Sequence, residues 1–377
     1  MRDNKYTALS RRVEATEAKV KVVQSRLKPK PTRPALRISN SEVIPRRAFV
    51  SPVFDSKTVL TDSTWRYVEI FLKKHKAYEA LFYWEQAYNF FKATESLSLV
   101  SSPLTTYYTF LNATKSLLVY KNIGFDDKHG VSGKKVDGHH NLQNEKVFLK
   151  PKGIVSSLSI YLKEPIPARG VEYDLKHILY NLEFIHRAYH LTYGGSELFI
   201  PIVNPRFVHD KSRKKGWFEA QLEAEHSSRA TVTKLIGFGL DNKYDNSFCY
   251  TIRRNKDFDW EAPRNKPTGR SLNSLSRYHL KIRKQLRYIY SPNNIWYIKR
   301  KDLRNVIIDR STLPLTFIAM HRLSELSRYH PQMLKNHLEQ KASWLLSEFI
   351  TKSMVQFIDQ ISSEMTGMDF RMTGFRA

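Results

Sequence analysis

Cysteine is nearly absent: the 377 residues hold one, Cys249. A lone thiol cannot close an internal disulfide and cannot build a thiolate metal site. An intracellular, cytoplasmic protein is therefore expected. Long apolar stretches are lacking too. No run of 18 apolar residues occurs, so neither a helical membrane span nor a membrane partner is expected. The opening residues MRDNKYTALSRR contain no apolar core of the kind a secretory signal needs. Acidic residues form the third shortage. Thirty-six Asp and Glu face 62 Lys and Arg, a formal net charge of +26. Such a field draws polyanions, which makes DNA or RNA the expected partner.

Recognisable catalytic signatures are missing as well. GFGL at 237–240 and GHHN at 138–141 are not phosphate loops, dinucleotide fingerprints, nucleophile elbows or zinc-protease motifs. No cofactor is expected. His129, His139 and His140 share a Gly/Asp/Lys-rich loop with Asp126, Asp127 and Asp137. Adjacent histidines point apart, and no i,i+4 pair fixes a ligand geometry, so a loop is expected rather than a metal site.

What is present is enough for a core. Apolar residues make up 41% of the chain, with 20 Tyr and 21 Phe, so a disordered polyelectrolyte is excluded. The charge is unevenly placed. Residues 1–50 hold 13 basic and 4 acidic residues, net +9; residues 251–310 hold 16 and 5, net +11. These two stretches carry +20 of the +26, whereas residues 311–377, with 7 and 6, are nearly neutral.

Four regions follow from the pattern. Residues 1–60 read as a basic N-terminal arm. In it Val13, Val20, Val23 and Leu27 place a short helix over 11–27, suited to docking on a protein partner, and a Pro-rich extended linker follows. Residues 61–195 read as a helical part. The aromatic run Tyr83, Trp84, Tyr88, Phe90, Phe91 is expected in the core, and Lys115 is expected to snorkel from an apolar stripe. Within this part EKVFLKPKGIVSSLSIYL predicts two strands around a Pro-Lys-Gly turn, and EYDLKHILYNLEFIHRAYHLTY predicts one helix. Residues 196–310 read as a β-rich basic region, with a hairpin at RYIYSPNNIWYIKR. Residues 311–377 return to helix. The expected fold class is α+β: a helical body from both halves of the chain, with a β-rich basic insertion.

The pentapeptide LSRYH occurs twice, at Leu275–His279 and Leu326–His330. The flanks do not align, so the repeat is accidental. The second copy precedes Pro331, which disfavours helical geometry at His330, so one helix ends there and another begins. An ion pair between Arg328 and Glu325 is expected on that helix end.

Three segments taken in order, SSPLTTYYTFLNATKSLL, YDLKHILYNLEFIHRAYHLT and LSELSRYHPQML, resemble the YaaC-like family of prokaryotic proteins over roughly residues 60–365. The resemblance implies helical ends with a β insertion between them, in a bacterial cytoplasmic protein. It also associates such proteins with mobile or anti-phage gene clusters. It brings no catalytic signature.

The residues therefore point first to a nucleic-acid-binding protein without catalysis, a subunit of a larger complex. Phosphate contacts are expected from Arg253, Arg254, Arg264, Lys266, Arg270, Arg277, Lys281, Arg283, Lys284, Arg287, Arg300 and Lys301. Stacking is expected from Tyr288, Tyr290 or Trp296. Alternate strand residues face apart, so the twelve cations cannot all share one surface. Two alternatives stand beside this reading. A nuclease or toxin effector would use Glu223 and Glu225, on one face of the expected strand WFEAQLEAE, or His330. A scaffold would meet an acidic protein partner instead.

Overall fold

The computed structural model describes residues 13–17, 33–136, 141–241, 249–291 and 295–372. Residues 13–17 are helical and exposed. The rest of the helix expected over 11–27, the linker up to residue 32, Asp137, His139, His140 and the Pro-Asn-Asn turn at 292–294 lie outside the described residues.

The arm does not extend to residue 60. From residue 33 the chain joins the body. Strands β1 (Arg37–Ile38) and β2 (Ser41–Glu42) form a small hairpin, and Leu36, Val43, Ala48 and Phe49 are fully buried. Burial of these apolar side chains outweighs the extended tendency of the prolines before them. Strand β3 (Val59–Thr61) pairs in parallel with β14 (Phe370–Met372), tying the two ends of the body together.

The helical part opens with α1 (Thr64–Lys74), α2 (Tyr78–Thr94) and α3 (Ser102–Tyr120). Ser63 caps α1 by accepting from Arg66 N, and Pro103 sits in the first turn of α3. Of the aromatic run on α2, Trp84 is buried, whereas Tyr88 is exposed and Phe91 half-buried; both pack beside Trp65. Lys115 does snorkel: its ammonium reaches Asp127 at 2.9 Å and lies over the Tyr83 and Phe125 rings.

Two expectations fail in the next stretch. Strand β4 (Val131–Lys135), β5 (Glu145–Leu149) and β6 (Val171–Asp174) form a three-stranded antiparallel sheet. The second predicted strand is a helix, α4 (Ile154–Tyr161), buried on nearly every side. An apolar run with no clear period cannot be told from a buried helix by pattern alone. Gly153, at φ 105, turns the chain into it. The single helix over 172–193 is instead β6, then α5 (Leu175–Tyr180), a 3-10 turn and α6 (His186–Tyr193). Asp174 caps α5 by accepting from His177 N, and Asn181 breaks it by donating to His177 O and Val306 O.

The β-rich region contains β7 (Phe199–Asp210), β8 (Lys215–Leu222), α7 (Arg229–Lys234), β9 (Phe238–Leu240), β10 (Thr251–Arg254), β11 (Phe258–Asp259), α8 (Gly269–Arg283), β12 (Leu286–Ile289) and β13 (Ile295–Lys299). Its antiparallel sheet runs β12-β13-β7-β8-β10-β9, with β11 added on β8. The expected hairpin is β12–β13. Helix α8 was not expected, and the first LSRYH copy lies inside it. Phe207, Phe218, Ala220, Ile252, Leu275, Ile282 and Leu286 form the core between this sheet, α8 and residues 36–54.

The chain then returns to α9 (Thr312–Tyr329), α10 (Pro331–Glu339) and α11 (Ser343–Thr366). His330, at φ −142, separates α9 from α10 as Pro331 requires. A second, larger core joins α2 and α3 to α9 and α11. Phe110 stacks on Phe357 at 4.1 Å there. The α+β class and the helical ends agree with the sequence.

Candidate nucleic-acid interface and a buried charge network

Helix α8 is amphipathic by period. Leu275, Tyr278, His279 and Ile282 are buried against the sheet. At 100° per residue, Arg270, Arg277, Lys281 and Lys284 fall on one opposite stripe, about 21 Å long. Arg270, Arg277 and Lys281 are exposed, and Lys284, at the C-cap, is half-buried. Among the described residues, Arg277, Lys281 and Lys284 have no carboxylate partner; Arg277 donates only to Asn273 O at 3.3 Å. Arg270 lies 3.8 Å from Asp259, which Lys215 holds at 2.6 Å.

Two further cations precede α8. Arg264 and Lys266 are exposed. Arg264 borders a cavity of about 370 Å³ together with Arg37, His209, Lys211, Lys214 and Trp260. Two of these cations are held by acids: Lys214 meets Glu261 at 2.9 Å, and Arg37 meets Glu42 at 3.2 Å. Burial, with nearby Lys211, holds the His209 imidazole below its ordinary pKa. Cationic groups from β1, the β7–β8 turn and the loop before α8 thus line one cavity.

Other expected contacts are elsewhere. Arg253 lies over the Trp217 ring at 4.2 Å, where Arg33 also sits at 4.8 Å. Arg254 donates to Gln285 and covers Phe238. Lys301 is half-buried. Arg283, Arg287 and Arg300 are buried, which corrects their assignment to phosphates. Arg283 donates to Leu286 O and to Arg47 O; burial, followed by repulsion from Arg287, lowers its pKa to about 10. Arg287 donates to Arg283 O and Arg310 O. Arg300 donates to Glu197 O and pairs with Asp302 at 2.5 Å. The stacking residues need the same correction. Tyr288 and Trp296 are in the core, and only Tyr290 is half-buried.

Arg283 and Arg287 belong to a network at the junction of the two cores. Arg47 pairs with Asp359 at 2.7 Å, and Tyr288 Oη donates to the same carboxylate at 2.8 Å. Burial still pushes the Asp359 carboxyl up to about 6. Glu364 accepts from the backbone N–H groups of Phe49 and Val50 and from Tyr161 Oη. Lys299 donates to Ile308 O at 2.7 Å; burial, then repulsion from Arg287, lowers its pKa to about 7.

The alternative catalytic residues are not assembled. Strand β8 ends at Leu222, and Ala224–His226 form a 3-10 turn, so Glu223 and Glu225 do not share a strand face. Glu225 is exposed, whereas Glu223 borders a cavity of about 570 Å³ with Trp296, Arg47 and Asn204. His330 is exposed at the α9–α10 junction. The expected Arg328–Glu325 pair is replaced. Glu325 takes Arg322 at 2.9 Å and Gly133 N at 3.1 Å, while Arg328 lies over the Tyr329 ring.

That exchange exposes a cluster the sequence reading missed. Arg322 also pairs with Glu145 at 2.6 Å, and His337 meets Glu145 at 3.1 Å. Burial opposes ionisation of Glu145, but the hydrogen bonds from His337 and Arg322 prevail and hold it below the usual range. Beside it, His129 bonds Tyr107 Oη, and its ring lies 5.8 Å from that of His321. Burial lowers His321 to about 4. Five separate segments, from α3 to α10, supply these groups, so no spacing rule could find them.

No curated protein and no solved structure matches the chain. A family model described as YaaC-like Protein matches residues 49–365. That match spans most of the sequence and both cores, and the chain belongs to the YaaC-like family.

Proposed function

We propose that this protein binds nucleic acid, DNA or RNA, through phosphate contacts along α8 and its approach, without cleaving it. The observation that carries the reading is the stripe Arg270, Arg277, Lys281 and Lys284, presented by a helix whose other face is anchored in the core. Three of the four, Arg277, Lys281 and Lys284, have no carboxylate partner among the described residues, and cations so placed on a rigid element suit a polyanion, because each contact releases condensed counterions. Two more exposed cations, Arg264 and Lys266, precede the helix in the chain. Absence of catalysis is the simpler reading because Glu223, Glu225 and His330 do not converge.

The test is fluorescence anisotropy on short duplex DNA, single-stranded DNA and RNA across a salt series, with the same samples run on a gel after incubation with Mg²⁺. Intact probes, and log K falling with log salt at a slope near −4, are expected if about four to five phosphates are neutralised. Shortened probes would favour the nuclease alternative. No binding to any probe at physiological salt would overturn the proposal and favour an acidic protein partner.

A further inference from the structure

A cavity of about 510 Å³ opens between α5, α6 and the loop at 303–306, apart from the α8 stripe. Its volume is within the range of small-molecule sites, about 300–1,000 Å³. One wall is aromatic. Tyr180 and Tyr189 have ring centroids 5.0 Å apart, and Tyr189 and Tyr193 are 5.2 Å apart. Tyr180 is fixed by donating to Ser196 O at 2.6 Å. The Tyr189 and Tyr193 hydroxyls have no hydrogen-bond partner among the described residues. Burial raises both pKa values, so both stay protonated donors.

The lining carries one cation, Lys176, and one carboxylate, Asp174. The Lys176 ammonium lies 4.5 Å over the Tyr193 ring, and Lys341 lies 5.3 Å from the same ring. Neither lysine has a carboxylate partner among the described residues. Asp174 is the carboxylate lining the cavity, and it is engaged: Oδ1 accepts from His177 N at 2.8 Å, and Oδ2 is 3.8 Å from Lys146. His177 donates from Nε2 to Val306 O, which leaves Nδ1 as an acceptor. The cavity therefore offers tyrosine rings tilted by 50–54° to one another, each a separate stacking face, with hydroxyl donors, an imidazole acceptor and a cation without a carboxylate partner among the described residues. These suit a planar ring bearing hydroxyls and an anion.

We propose that this cavity binds a mononucleotide, with its base against the tyrosine wall and its phosphate at Lys176. The ligand is either a free nucleotide or the terminal nucleotide of a strand, which present the same chemistry. The proposal does not depend on the α8 interface.

Calorimetric titration of the full chain with AMP, UMP, adenosine and inorganic phosphate tests it. AMP and UMP should bind, with adenosine and phosphate each about tenfold weaker or more. Lys176→Met should weaken AMP by about tenfold and leave adenosine unchanged; Tyr193→Ala should weaken both. Lys176→Met should keep the wild-type melting transition, and Tyr193→Ala should melt cooperatively at a lower temperature, because its ring packs on the large core. A 5′-phosphorylated oligonucleotide that competes with AMP, even after the α8 stripe is neutralised, would identify a strand end as the ligand. Absence of competition with AMP still bound would identify the free nucleotide. The proposal is overturned if no mononucleotide binds at about 5 mM, if phosphate binds as well as AMP, or if both variants bind AMP like the wild type.

Discussion

Arg277 and Arg283 are six residues apart on one helix and have opposite surroundings. Arg277 is exposed, with its guanidinium bonded only to a carbonyl of its own helix. Arg283 is 2% exposed and bridges Leu286 O to Arg47 O between the two cores. The turn of the helix separates them: six residues is 600°, which carries a side chain most of the way to the opposite face. A stretch of net +11 therefore contains two populations. One is available to a polyanion; the other replaces water around backbone carbonyls and carboxylates in the interior. Net charge counts both and overstates the exposed cationic surface.

The largest effect expected from breaking this division is at the buried side. Arg283→Ala leaves the Leu286 and Arg47 carbonyls without their donor and should cost about 3–5 kcal/mol in urea unfolding. Arg277→Ala should change stability by less than about 0.5 kcal/mol. Equal effects of the two changes would remove the distinction.

Next comes Gly133→Ala. A Cβ there meets the Glu325 carboxylate and the Arg322 guanidinium, so the Glu145–Arg322–Glu325 cluster must move. A loss of about 2–4 kcal/mol is expected in the same assay.

The pH dependence of stability sharpens the comparison further. The Lys299 pKa falls from the ordinary lysine value to about 7 on folding. Between those values the unfolded chain holds more protons, so this group makes stability rise with pH from about 7 towards 10. The rise should be on the order of 2–4 kcal/mol, and Lys299→Met should flatten it and raise stability near pH 7. Ile308 O keeps a donor in that variant, because Arg310 N also bonds it at 2.9 Å. A wild-type curve flat across this window would contradict the buried cation.

The smallest effect on stability should accompany a large effect on binding. The double change Arg277→Ala, Lys281→Ala should leave the melting temperature in place, yet reduce the salt slope by nearly 2 and weaken nucleic-acid binding by roughly tenfold or more at low salt. An unchanged slope would move the interface away from α8.

Much of the fold was legible. The helical ends, the break at His330–Pro331 and the β12–β13 hairpin followed from proline geometry and from the alternation of apolar residues. Helix α8 was not, because its many basic and serine residues mask the short apolar face of Leu275, Tyr278 and Ile282. Arranged on a helix, Arg270, Arg277, Lys281 and Lys284 would have separated from Arg283 at once. Helix α4 had no such signal: its apolar and small residues are buried nearly all round, so periodicity vanishes. Of the expected contact residues, Arg264, Lys266, Arg270, Arg277 and Lys281 are exposed, whereas Arg283, Arg287, Arg300, Tyr288 and Trp296 are not.

The sequence by itself determined the class of fold, the family, the excess and placement of positive charge, and the absence of a disulfide, since each depends on composition or local order. Which arginines face water, which carboxylates they meet, and which tyrosines line one cavity were decided only by the tertiary structure. Arg47 meets Asp359, and Arg322 meets Glu145, across 312 and 177 residues. Contacts over such separations come from the packing of whole elements, and a linear pattern read through a window of one or two turns carries no record of them.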